Sequence, residues 1–185
     1  MNINTTYTKI ITGEDLMETA QHGSTLYPFQ FYYEDLSVFD FNCIEWHWHT
    51  ELEFIYIESG TVTLWIGEDQ FHLTEGNGIF INTKVLHRLY SPSKALIPNF
   101  VFMPSFIAPC DSLIYQKYIL PIISSSLPFL VFHKKVCWQA KVLSIMRQII
   151  SAQDSVLSKE LLTSSLLQNL WLEIFENTDI SYQEE

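Results

Sequence analysis

Glycine and proline are scarce in this chain of 185 residues, with six and seven copies. All six glycines fall between Gly13 and Gly78, and residues 134–178 contain neither residue type. That excludes collagenous or low-complexity character and marks the last quarter as helical. Cysteine is limited to Cys43, Cys110 and Cys137, widely spaced and odd in number. A disulfide framework and a paired-cysteine zinc knuckle are excluded, which leaves reduced thiols in a cytoplasmic protein. Basic residues are few: 10 Lys and Arg against 21 Asp and Glu, a formal charge of −11. Such a chain repels phosphate backbones and is a poor nucleic-acid binder by itself. No run of about 18 apolar residues exists, so no membrane span is expected, and residues 1–12 lack a secretory signal's apolar run. Apolar residues nevertheless make up 48% and aromatics 15% of the chain, ample for a buried core.

Short apolar runs separated by turn residues fill residues 25–133. They predict strands over 30–33, 44–49, 53–58, 61–66, 70–73, 78–81, 86–90, 99–103 and 129–132. Strands this frequent point to an antiparallel sandwich or barrel. Asp111 is a candidate cap for a helix over 112–120, which Pro121 ends. Val136, Ala140, Leu143, Met146, Ile149 and Ile150 recur at helical spacing, and Leu157, Leu161, Leu162, Leu166, Leu170, Trp171, Ile174 and Phe175 form a second apolar stripe.

The sharpest feature is His47-Trp48-His49-Thr50-Glu51-Leu52-Glu53. Residues two apart on a strand share a face, so His47 and His49 point together and Glu53 keeps their parity. Two imidazoles and a carboxylate suit zinc, nickel, manganese or iron, and His87 is the candidate fourth donor. Glu45 and Glu51 share the same parity and compete with Glu53 as the acidic group. Lining of a pocket, or an internal hydrogen-bond network, is the reading favoured over a bound metal. Tyr56, Trp65 and Phe80 are candidate lining residues, as is Tyr90, with plain core as the competing role. The strand face opposite the histidines carries Trp46, Trp48, Leu52 and Phe54. With the polar face inward, that aromatic face needs covering by the terminal helices, the N-terminal segment or a second subunit.

These blocks resemble the two cupin motifs. His47, His49, Glu53 and Gly60 keep every spacing of the first, with Phe41 where a glycine usually opens it. Gly76 and His87 match the second, while Asn82, Lys84 and Ser91 stand in place of its proline, second glycine and asparagine. More narrowly, residues 27–177 resemble the N-terminal effector-binding and dimerisation domain of AraC-type transcription regulators. The resemblance implies a cupin-type antiparallel β-barrel, or jelly roll, followed by a helical hairpin. It implies an arm over 1–24, a barrel over 25–133, a dimerisation hairpin over 134–178 and a tail over 179–185. That tail leads to a helix-turn-helix domain absent from this chain, expected to be a truncated piece of a longer protein. The expected partners are a small effector, possibly a sugar, a second copy through the helices, and DNA only through the missing domain. The expected role is not enzymatic and requires no cofactor. The competing readings are a metal-dependent cupin isomerase or dioxygenase using His47, His49, Glu53 and His87, and a carbohydrate-binding or storage cupin.

Overall fold

A computed structural model describes residues 1–178. The tail expected over 179–185 lies outside the described residues. Among the described residues, nine strands form two antiparallel sheets. One has the order β1 (Phe29–Asp35), β8 (Leu96–Phe102), β3 (Leu52–Tyr56), β6 (Gly78–Ile81), β9 (Phe129–Phe132). The other has the order β2 (Cys43–His47), β7 (His87–Tyr90), β4 (Thr61–Ile66), β5 (Asp69–Thr74). The sheets face each other as a cupin-type barrel. Two helices follow, α2 (Cys137–Ala152) and α3 (Lys159–Asn177).

The strand order explains where each face goes. Inside the barrel, aliphatic side chains interdigitate: Ile44, Ile55, Val62, Leu64, Ile79, Leu89 and Ile97 are all buried there. The outer face of the five-stranded sheet is aromatic instead. Phe54 packs with Phe80, Phe100, Phe102 and Phe132 at ring-centroid distances of 5.0, 5.3, 6.0 and 6.4 Å. This layer is sealed by Leu143, Met146, Ile149, Leu167, Leu170 and Trp171 of the two helices. Each buried phenyl contributes roughly 2–3 kcal/mol by removal from water. The amphipathic stripes of α2 and α3 therefore meet the aromatic face, so an apolar layer lies on both sides of β3, all five of whose residues are buried.

The predicted helix over 112–120 is rearranged. A π-helical turn spans Tyr115–Ile119 and runs into a short helix, α1 (Leu120–Ile123). Pro121 lies in the first turn of α1, which continues past it, and so does not end the helix. Ser112 rather than Asp111 supplies the nearby cap, its Oγ accepting from the Tyr115 N–H at 3.1 Å. The three cysteines are free. Among the described residues no helix is long and apolar enough to cross a membrane.

Candidate functional site

His47 closes β2, and its Cα pairs with His87 at the start of β7. The β2–β7 register runs Cys43↔Tyr90 and Ile44↔Leu89, then shifts before His47↔His87. Three steps along β2 thus match two along β7, a bulge of one residue. The bulge lets both Ile44 and His47 face inward and turns Glu45 out, where its carboxylate binds Arg88 Nε at 3.0 Å. That removes Glu45 as a rival to Glu53. Glu51 stays at the periphery, 3.9 Å from His49 Nδ1.

Strand β2 ends two residues earlier than the predicted 44–49. Trp48 instead forms an isolated bridge with Met17, its indole N–H donating to Asp15 O at 2.9 Å. The covering expected for the aromatic face is therefore shared: the N-terminal segment takes Trp48, and the helices take Phe54.

One ligand atom from each of His47, His49, Glu53 and His87 lies within 4.8 Å of the other three, and all four residues are buried. The backbone fixes the imidazole protons. Nδ1 of His47 lies 2.8 Å from Glu45 O, that of His87 2.9 Å from Val85 O, and that of His49 3.2 Å from Glu51 O. A carbonyl only accepts, so each Nδ1 carries hydrogen and each Nε2 is turned to the centre. His49 Nε2 is 3.2 Å from Glu53 Oε2, which makes this ring an imidazolium paired with a carboxylate. Burial pushes His49 down, but the hydrogen bond and charge of Glu53 outweigh it and its pKa is raised. Burial likewise pushes Glu53 up, and the two histidines reverse that, holding its carboxyl well below the usual range. His47 has no such carboxylate contact. Burial, then the His87 charge, holds it well below the ordinary imidazole value. His87 Nε2 is 3.1 Å from Glu53 Oε2, a charge contact outside hydrogen-bond geometry, and is a buried nitrogen that makes no hydrogen bond.

Two of the departures from the cupin motifs sit where the backbone is left-handed, the conformation glycine takes most easily. Phe41 and Lys84, where the motifs carry glycine, adopt φ of 58° and 60°. Holding a side chain in that left-handed region costs about 1 kcal/mol each. Asn82, in place of proline, is buried and donates from Nδ2 to Ile122 O at 3.2 Å and Leu127 O at 2.9 Å. It ties the loop before His87 to α1 and the segment leading into β9. Ser91, in place of the motif's asparagine, donates to Thr61 O at 2.8 Å.

Above the histidines lies a cavity of about 30 Å³. Its walls include Tyr32, Glu34, Ile44, His47, His49, Glu53 and Asn99, and the N-terminal segment contributes Tyr7, Ile10, Glu18 and His22. Tyr7 donates to Glu34 Oε1 at 2.6 Å, Asn99 Nδ2 donates to Glu34 Oε2 at 2.9 Å, and His22 Nδ1 meets Tyr32 Oη at 2.8 Å. None of these five residues is a candidate from the sequence pattern. Glu34 and Tyr32 sit on a strand whose inward face becomes visible only through its pairing with β8.

Four expected lining residues are elsewhere. Tyr56 and Phe80 belong to the aromatic layer beneath the helices, on the strand face opposite Glu53. Trp65 lies on the outer face of the four-stranded sheet, with Arg88 Cζ 5.0 Å from its ring centroid. Tyr90, next but one to Arg88 on β7, does not line the cavity either.

The family described as AraC-like ligand binding domain matches residues 30–171. An uncharacterized HTH-type transcriptional regulator of Bacillus subtilis, YdeC, is 24% identical over 143 residues, covering 75% of this chain and 48% of that protein. The chain thus spans about half the length of the curated relative it matches. The structure of ToxT from Vibrio cholerae is similar with a TM-score of 0.54 at 13% identity, over 85% of this chain and 61% of that one. At that identity the likeness speaks for the fold. An RmlC-like cupin from Shewanella frigidimarina gives a TM-score of 0.38 at 17% identity, over 41% of this chain and 67% of that one.

Proposed function

This chain belongs to the AraC-like ligand binding domain family, and from that membership we propose that it is the sensing half of a transcription regulator, taking a small effector between the two sheets beside His47, His49, Glu53 and His87. One observation carries this reading: a buried polar cavity is roofed by the chain's own N-terminal segment, through Tyr7, Glu18 and His22. An effector that prefers one seating of that segment shifts its population, which is what relay to a distant domain requires. The cavity admits only one or two water-sized groups as it stands. A sugar ring, one candidate class, enters only as residues 1–24 lift. DNA contact is assigned to a domain beyond this chain, in keeping with the charge of −11. Pairing of two copies is assigned to the helices, where Leu161 and Leu172 of α3 are 77% and 50% exposed.

The test is a thermal-shift screen of the chain against sugars, polyols, amines and carboxylates, followed by limited proteolysis. Binding of one class should raise the melting temperature and change cleavage within residues 1–24. Turnover of a substrate by iron- or manganese-loaded protein, with no effector response, would favour the enzyme reading. The matched family is a ligand-binding one, which weighs for the sensor.

A second reading concerns a divalent ion, and the buried His87 Nε2, which makes no hydrogen bond, favours it. His47, His49, Glu53 and His87 fit zinc, nickel, manganese or iron: three Nε2 atoms and a carboxylate converge, and each ring is oriented by a backbone carbonyl. Bound there, the ion supplies a Lewis acid for an effector oxygen. The chain's own part is to hold the rings in one tautomer and to release the His49 proton.

A further inference from the structure

The sensor reading leaves the chemistry of the effector open, and the following rests on that reading and narrows it. The cavity lining contains three carboxylates, Glu18, Glu34 and Glu53, and neither lysine nor arginine. Two of the three have a histidine beside them: Glu53 Oε2 is 3.2 Å from His49 Nε2, and Glu18 Oε2 is 3.3 Å from His22 Nε2. Glu34 differs. It is 6% exposed, and its two oxygens accept from neutral donors, the Tyr7 hydroxyl and the Asn99 amide. The lysine nearest in sequence register, Lys94, binds the neighbouring Asp35 at 3.6 Å and is itself mostly exposed. A buried carboxylate without a cation is among the costliest arrangements in a protein interior. Burial accordingly lifts the Glu34 carboxyl to about 7.

A second observation points into the same space. The His22 side chain is 4% exposed, its Nδ1 is engaged by Tyr32, and its Nε2, 3.3 Å from Glu18 Oε2, makes no hydrogen bond. The cavity lining therefore offers a carboxylate lacking a counter-charge and a ring nitrogen that makes no hydrogen bond. The cavity they share has room for groups the size of a water or two.

We propose that Glu34 recognises a compact organic cation, a primary ammonium with a hydroxyl within a few bonds, the ammonium pairing with the Glu34 carboxylate and the hydroxyl meeting His22 Nε2. The hydroxyl suits either tautomer, since it both donates and accepts. Tyr7 and Asn99 hold the carboxylate in place, and the ammonium supplies the charge they lack. An anion would face three carboxylates, and a neutral polyol would leave Glu34 uncompensated.

Three near-isosteric probes decide it: ethanolammonium, ethylene glycol and glycolate, titrated calorimetrically into the whole chain with EDTA present so that the histidine cluster holds no ion. Ethanolammonium should bind saturably, with the other two weaker by roughly ten-fold or more. Glu34→Gln should weaken ethanolammonium by a similar factor. Equal or tighter binding of ethylene glycol or glycolate overturns the proposal while leaving the sensor reading intact with a different effector. Undiminished binding to Glu34→Gln, or no binding of ethanolammonium to the unaltered chain, overturns it as well. The three-probe comparison uses the unaltered protein, so it stands even if the variant fails to fold. A failure of the sensor reading itself would show instead as silence across the wider metabolite screen.

Discussion

His47 and His87 face each other as direct partners across the β2–β7 ladder, with ring centroids 4.0 Å apart and planes tilted by 56°. Two imidazoles this close repel when both are charged, and burial adds to the penalty on His47. A divalent ion held by His47 and His87 would relieve both costs, since each ring would then be bound in its neutral form.

Chelator-stripped protein titrated with zinc, nickel, manganese or iron(II) is therefore expected to melt at a higher temperature. An ion present at 100 times its dissociation constant stabilises by about 2.7 kcal/mol. Glu53→Gln and His87→Gln should each weaken binding roughly 10–100-fold or more. Unchanged melting with all four ions would leave the cluster as lining alone.

Asn82→Ala removes two donors and leaves the carbonyls of Ile122 and Leu127 without them inside the protein. A loss of roughly 2–3 kcal/mol is expected in urea denaturation. Cleavage between residues 120 and 128 should also accelerate, because that segment loses its tie to the barrel. A loss below about 0.5 kcal/mol would show that water replaces the amide without cost.

Phe80→Ala should cost roughly 3–5 kcal/mol, since the ring is fully buried between Phe54 and Trp171. Effector or metal affinity, measured where the variant is folded, should stay within about two-fold of the original, because the ring lies on the far side of the sheet from Glu53. A selective loss of binding at unchanged stability would return Phe80 to the cavity.

Glu34 gives stability a pH slope of defined sign. Its carboxyl titrates near 4.5 in the open chain and at about 7 in the fold, chiefly through burial. The folded state holds the proton more tightly, so this contribution is complete below the unfolded value and is lost as pH rises through about 7. The difference amounts to roughly 3 kcal/mol at most. Urea midpoints at about pH 5 and pH 8 should reveal it, and Glu34→Gln should flatten it. Glu53, held low, acts in a separate acidic window, where its contribution disappears as pH falls.

The four-residue cluster was legible because two-residue periodicity places His47, His49 and Glu53 together, and the motif spacing brings His87 to them. Tyr56 could have been excluded on the same ground: three residues from Glu53 on an unbroken strand, it faces the other way. Phe80 could not, because β6 is buried on both faces and its apolar run has no alternation. Glu34, Asn99, Tyr32, His22 and Tyr7 come from two strands and the N-terminal segment, separated by up to 92 positions in the chain. Only the pairing of β1 with β8, Tyr32 opposite Asn99, brings them to one wall. The outward turn of Glu45 depends on the register shift, for which simple parity has no signal.

That shift makes the character of the cavity depend on strand register as well as on residue type. Removal of one residue between Ile44 and His47 would straighten the ladder and leave His47 opposite His87, still on the inward side with Ile44. Straightening at the present length would instead carry the imidazole toward solvent and bring the Trp46 indole into its place. The chemical taste of the chamber thus hangs on one supernumerary residue, whose accommodation decides whether a ring nitrogen or a greasy surface meets the guest.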